Sequence, residues 1–259
     1  MASPLGFRTT QLYIDPKTTI TIRDAIQDSD AAERPTPLGI LQLMAHTPDM
    51  KTLYLRAGDA EEYADYADAH EDEFLLPPPD PFMHPAQYEF FLAETKTSAL
   101  LLDWIEEVTE DQLVTDYKVG PGDIMRMVSS VEWLLHATAE IAALLKVPGV
   151  RKLAMELQTR VKHGCKRELL PLIRLPSIGR VRGRILFNAG YKTPEAILKA
   201  PMDKLVALPL IGPEIARKIK DYLGGTPDEQ YALRLKPLEE SSPSVPRQNT
   251  LLDFKEKPE

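Results

Sequence analysis

Cysteine is nearly absent from this sequence: Cys165 is the single one in 259 residues, so no internal disulfide can form. A small disulfide-stapled scaffold is therefore excluded, and the length suffices for one large domain or two modest ones, each with its own core. Long apolar runs are missing too, since nothing approaches the roughly 18 uninterrupted apolar residues of a membrane helix. The opening MASPLGFRTT lacks the basic-then-apolar layout of a secretory signal. A soluble chain in a reducing cytoplasm, without a membrane partner, is expected. No GxxxxGK[ST] loop occurs, and without glycine amides, a lysine and a metal-binding hydroxyl the chain should not hydrolyse ATP alone. His46, His70, His84, His136 and His163 lack the short pairings that metal sites use, so no metal centre is expected. His163 and Cys165 are two residues apart, roughly 200° on a helix. With no third group to orient them, a packed cysteine is favoured over a thiol nucleophile.

Strand-like alternation is also scarce, and only QLYIDP at 11–16 looks extended. The 23 prolines fall mostly between stretches of helical periodicity. Apolar residues recur at helical spacing within 20–26, 38–45, 88–92, 100–105, 124–145, 153–161, 185–187, 197–198 and 215–222. The fold class expected is all-α. The acidic stretch 59–74 reads as an exposed helix with Tyr63 and Tyr66 on a thin apolar edge and no chemistry, because neighbouring carboxylates on a helix point different ways. From about residue 225 periodicity gives way to Pro and Ser, which reads as a disordered tail.

The net charge of −8 conceals an asymmetry. Residues 1–150 hold 10 Lys and Arg against 26 Asp and Glu, whereas residues 151–225 hold 16 against 6. A strongly basic segment beside an acidic one points to a polyanion held by the basic part.

GPGD at 120–123 should break one helix and start the next, with Asp123 as its cap. At ~100° per residue, Ile124, Met127, Val131, Leu135, Thr138, Ala142 and Leu145 form one core-facing stripe. Trp133 lies roughly 150° from the centre of that stripe, on a strip with Arg126, Ser129, Ser130, Ala137 and Glu140. The helix's own core does not explain it. Either the indole is a platform for an unstacked base, with Arg126 meeting phosphate or a second base, or it packs on a neighbouring helix.

LPSIGRVRGRILFNAG at 175–190 and LPLIGPEIARKIKDYLG at 208–224 share an apolar-x-x-Ile-Gly pattern followed by a basic helix. They look like two helix-hairpin-helix copies, in which glycine lets backbone N–H groups at a helix start approach a phosphate. The alternative is two ordinary hairpins with solvated basic faces. The cations offered to DNA are Arg180, Arg182 and Arg184 in the first copy, Arg217, Lys218 and Lys220 in the second, and Lys162, Lys166 and Arg167 upstream.

The blocks LLDWIEEVTEDQLVTDYKVGPGDIMRMVSSVEWLLHATAEIA, KHGCKRELLPLIRLPSIGRVRGRILFNAG, LYIDPKT and TPDMKTLYL resemble, in order, the C-terminal part of archaeal Hjm-type, HELQ-related superfamily-two DNA helicases. The resemblance covers most of 5–224. It implies the end of a winged-helix domain at 1–16, a helical bundle at 17–150 containing a long central ratchet helix at about 121–146, and a basic helix-hairpin-helix domain at 151–224. A flexible tail would fill 225–259. It further implies that Arg126 and Trp133 face the bases of a translocating single strand. Arg182-Gly183-Arg184 would occupy an Arg-Ala-Arg motif that binds the emerging strand and restrains the motor, with Gly in place of the central Ala. The RecA-like motor domains that precede this region in the family are missing, so ATP and magnesium would act only through them, and no cofactor is expected on this chain. In the tail, Gln248, Leu251 and Phe254 of RQNTLLDFK resemble a PCNA sliding-clamp box, though Lys255 stands where a second aromatic is usual.

These features together predict a non-catalytic, nucleoid-associated DNA-binding portion of a 3′–5′ repair helicase, acting on single-stranded or forked DNA. The rival is a motor-free adaptor tethering DNA to the clamp. A glycosylase or nuclease would need a catalytic Lys or Asp cluster that the sequence does not display.

Overall fold

The computed structural model describes residues 3–27 and 34–224. Among them are thirteen α-helices and no strand: α1 (Pro4–Leu12), α2 (Pro16–Gln27), α3 (Pro37–His46), α4 (Asp59–Ala69), α5 (Pro85–Ile105), α6 (Glu110–Tyr117), α7 (Pro121–Leu144), α8 (Pro148–His163), α9 (Leu170–Ile173), α10 (Arg180–Asn188), α11 (Pro194–Lys199), α12 (Met202–Val206) and α13 (Pro213–Tyr222). Eight of the thirteen open on proline. Its fixed φ suits the first helical turn, where its missing N–H leaves no bond unmade, so proline here sets where helices begin.

The expected extended segment at 11–16 is instead helical up to Leu12. Ser3 caps α1 and Pro4 starts it; the helix stops where Tyr13 takes a left-handed turn, and Pro16 opens α2. Leu12 and Ile14 are buried on the two sides of that turn. Tertiary burial explains what looked like strand alternation.

α3 is buried along nearly its whole length, with Leu38, Ile40, Leu41, Leu43 and Met44 at 1% exposure or less. A helix apolar on every side must be enclosed, and α5, α7 and α8 enclose it. The sequence shows α5 as two apolar pieces divided by a polar stretch, yet it is one helix with a polar, buried middle. The polar groups are used there. Lys96 Nζ pairs with Asp59 and donates to the Tyr54 carbonyl at 3.1 Å, and Thr97 Oγ1 accepts from the Leu53 amide at 2.9 Å. Burial opposes the charge of Asp59, but the Lys96 ammonium and the Arg56 amide outweigh it and hold its carboxyl below the usual carboxylate range. Asp59 is thus an interior ion rather than part of a solvated acidic face.

α7 packs along α8 and against α1, α2 and α3. Its N-cap is Gly120, with Pro121 first in the helix, so Asp123 lies inside the first turn and accepts from Arg126 instead of capping. The predicted stripe is buried as far as Ala142, with Leu145 half-buried at the C-cap, and Val128, Leu134, Ala137, Ala139 and Ile141 join it. The helix is therefore enclosed toward its C-terminal half and open on one flank toward its start.

A second apolar core, from Cys165 to Ile219, gathers α9 to α13 separately from the bundle core. Cys165 is fully buried in it, and burial pushes its thiol up to about 11. Such a thiol is packing material.

Candidate nucleic-acid interface

α1 covers the C-terminal part of the strip that carries Trp133. Arg8 of α1 pairs with Glu140, and Ala137 is fully buried. Trp133 lies at the edge of this cover, half-buried, with its indole N–H donating to the Leu12 carbonyl at 3.0 Å. Part of the ring packs on the bundle core and part faces solvent. Its orientation is set by a hydrogen bond from a helix end 121 residues away in sequence. Arg126, two turns earlier, is exposed and, among the described residues, bonds only Asp123, at 2.8 Å.

The two hairpins match residue by residue. Ser177 and Leu210 both have positive φ, +63° and +60°; Ile178 and Ile211 are both buried; Gly179 and Gly212 are the N-caps of α10 and α13. Both glycines have extended backbone and open space where a Cβ would stand. The left-handed turn thus belongs to the residue two before each glycine, and the glycines leave the helix starts uncovered. Arg182 spans the two tips, donating from Nη1 to the Ser177 carbonyl at 2.8 Å and from Nε to the Leu210 carbonyl at 3.0 Å.

The other two arginines of the first hairpin turn inward. Arg180 lies over the Trp104 ring, 4.5 Å from its centroid, with Nη1 buried. Trp104 Nε1 in turn donates to the Val161 carbonyl at 2.7 Å. Arg184 makes a two-pronged contact with Glu107, 2.8 Å on each prong, and a 2.6 Å bond to Glu168. Burial opposes ionisation of Glu107, but Arg184 and the Lys166 amide, 2.9 Å away, outweigh it and hold its carboxyl below the usual range. Arg184 in return holds its proton more firmly. Buried Arg160 joins the same seam through Glu106 at 2.6 Å and the Cys165 carbonyl at 3.3 Å. Arg180 and Arg184 therefore make contacts between hairpin domain and bundle, in addition to lying on the first basic hairpin. Arg184 is neutralised by Glu107 and Glu168, whereas Arg180 has only the face of Trp104, and its buried Nη1 finds no acceptor among the described residues.

The remaining cations divide similarly. Lys220 bonds the carbonyl of Ala200 at the end of α11 and is also turned inward. Lys162 pairs with Glu132 at 2.9 Å, Arg167 with Glu156 at 3.1 Å, Lys218 with Glu214 at 2.7 Å and Lys166 with Glu106 at 3.6 Å. All four remain exposed or half-exposed, and Arg217 is half-buried on α13.

Residues 38–164 match the archaeal helicase domain 4 family, and residues 169–224 match the SAM-like helix-hairpin-helix tandem. The boundary between the two matches falls at the seam just described. The chain belongs to the C-terminal region of archaeal superfamily-two DNA helicases. Similar proteins include "ATP-dependent DNA helicase Hel308" of Methanocella arvoryzae, 39% identical over 98% of this chain and 33% of that protein. The protein of the same name from Thermococcus kodakarensis is 40% identical over 86% of this chain and 20% of its own length. That from Pyrococcus abyssi is 37% identical over 85% and 30%. The chain thus spans a third or less of the curated relatives it matches.

Three side chains of this helicase region escaped the sequence: Lys51, Arg56 and Lys118, which gather beside Arg126. Each is a single cation in an acidic segment, so no local pattern marks it. Gln248, Leu251 and Phe254 lie outside the described residues. Among the described residues no helix is long and apolar enough to cross a membrane, and no group of three or more His, Cys, Asp or Glu is placed to hold a metal ion.

Proposed function

We propose that this chain is the single-stranded DNA-binding accessory region of a 3′–5′ ATP-dependent repair helicase. A strand would run along the open flank of α7, with one base stacked on Trp133 and Arg126 beside the next phosphate or base. The observation that carries this is the half-open indole, pinned at its N–H by the Leu12 carbonyl. A ring held in one orientation loses little entropy on stacking. The emerging strand would meet the hairpin tips at Gly179, Gly212 and Arg182, where uncovered helix starts suit phosphate. ATP and magnesium would act through RecA-like motor domains, whose movement against the bundle would ratchet the strand while the stacked base resists backward slip. Titration of labelled single-stranded DNA at several salt concentrations tests this. Trp133→Ala should weaken binding by about 1–3 kcal/mol with an unchanged salt slope. Unchanged affinity would reduce Trp133 to a packing residue.

The tail sequence around Gln248, Leu251 and Phe254 favours a second role, tethering to the sliding clamp. Changing Gln248 and Phe254 together to alanine should abolish clamp capture; persistent capture would remove the adaptor role.

A further inference from the structure

The cations of the bundle are not scattered. Residues 1–150 contain 10 Lys and Arg among 26 Asp and Glu, yet Lys51, Arg56, Lys96, Lys118 and Arg126 line one cavity of about 260 Å³ at the start of α7. Half of the segment's positive charge therefore surrounds one concave space in an otherwise acidic domain. Two of the five have carboxylate partners, Lys96 with Asp59 and Arg126 with Asp123. Among the described residues Lys51, Arg56 and Lys118 pair with no carboxylate. Arg56 is anchored through Nη2 to the Lys118 backbone carbonyl at 2.8 Å, which fixes its guanidinium on the wall that Lys118 also lines. Like charges gathered this way repel one another, and an anion between them relieves the repulsion. Tyr54 also lines the cavity and is 81% exposed. A free aromatic face beside clustered cations suits a base and its phosphate.

We propose that this cavity holds a backbone phosphate of single-stranded nucleic acid and that Tyr54 stacks an adjacent base, giving the strand a second anchor beyond the open flank of α7. The proposal rests on the strand path put forward above. Arg126 belongs to both sites and precedes Trp133 by seven residues, ~10.5 Å along the helix axis, so one strand can meet both. Free phosphate or a mononucleotide would use the same cations, and the experiment separates these sources.

A labelled oligothymidylate is titrated with the whole chain at several salt concentrations, using the parent, a Lys51→Ala/Lys118→Ala double variant, Tyr54→Ala and Trp133→Ala. All three cavity side chains are exposed, and melting curves check that the variants remain folded. The double variant should bind about fivefold more weakly at 0.1 M salt and lower the slope of log affinity against log salt by about 0.7, the share of one phosphate on a single strand. Tyr54→Ala should weaken binding by about fivefold or more without changing the slope. Parental affinity and slope in the double variant would overturn the proposal, and loss of binding by Trp133→Ala in the same series would still leave the path along α7 standing. Loss in the cavity variants with none in Trp133→Ala would support the cavity and refute stacking on the indole. Saturation by inorganic pyrophosphate at concentrations that leave the oligonucleotide bound would overturn the strand assignment in favour of a free anion.

Discussion

Gly164, at the turn between α8 and the hairpin domain, is where one methyl group should do the most damage. Its φ is +58°, a left-handed conformation that costs an L-residue about 1–2 kcal/mol. A Cβ there would lie 2.6 Å and 2.7 Å from two atoms of the Trp104 ring and 3.0 Å from Nη1 of Arg180. The ring must then move, which threatens its 2.7 Å bond to the Val161 carbonyl, a net ~1 kcal/mol. The stacked Arg180 guanidinium also loses its seat, a further ~1 kcal/mol. Gly164→Ala should therefore cost about 3 kcal/mol, or about 6–12 °C in melting temperature for a chain of this size. Thermal unfolding followed by tryptophan fluorescence and by circular dichroism measures it, and Trp104 reports the disturbance directly. A loss below about 1 kcal/mol would show that the seam does not depend on close approach at this turn.

The same substitution nineteen residues later should have the opposite sign. At Gly183 a Cβ would meet side-chain atoms of Ile173, Ile178 and Leu169 at 3.6–3.7 Å, ordinary contact distances, and the equivalent position of the second hairpin is the buried Ala216. Gly183→Ala should stabilise by about 1 kcal/mol, read as a rise in urea midpoint; a fall would mean the site is already full. For Glu107 the folded carboxyl titrates below its unfolded value near 4.3. Its contribution is therefore complete above that value and disappears as pH falls through the lower folded pKa. Glu107→Gln should cost about 1–3 kcal/mol at pH 7, with parent and variant converging in acid below about pH 4. A gap that does not narrow at all as the pH falls below about 4 would assign the effect to shape rather than charge.

Much of the helical layout was readable because proline and helical periodicity are local. α7 and its buried stripe came from spacing alone, and the paired hairpins from a repeated Ile-Gly pattern. α1 was not readable: PLGFRTTQL offers only Leu5, Phe7 and Leu12 as apolar markers, and the alternation at Leu12 and Ile14 arises from burial on two sides of a turn. The polar middle of α5 looked like a gap because its partners, Asp59 and the Leu53 amide, lie 37 and 44 residues away.

The roles of the arginines divide along the same line. Sequence alone determined that positive charge is concentrated after residue 150 and that Trp133 stands off its helix's own stripe, because composition and angular spacing are properties of the chain itself. Only the folded molecule decided which charges remain available to a polyanion. Arg184 and Glu107 are 77 residues apart in the chain and joined in space, and an ion pair closed by tertiary packing leaves no trace in local pattern. Folding likewise brought Lys51, Arg56 and Lys118 to one cavity wall.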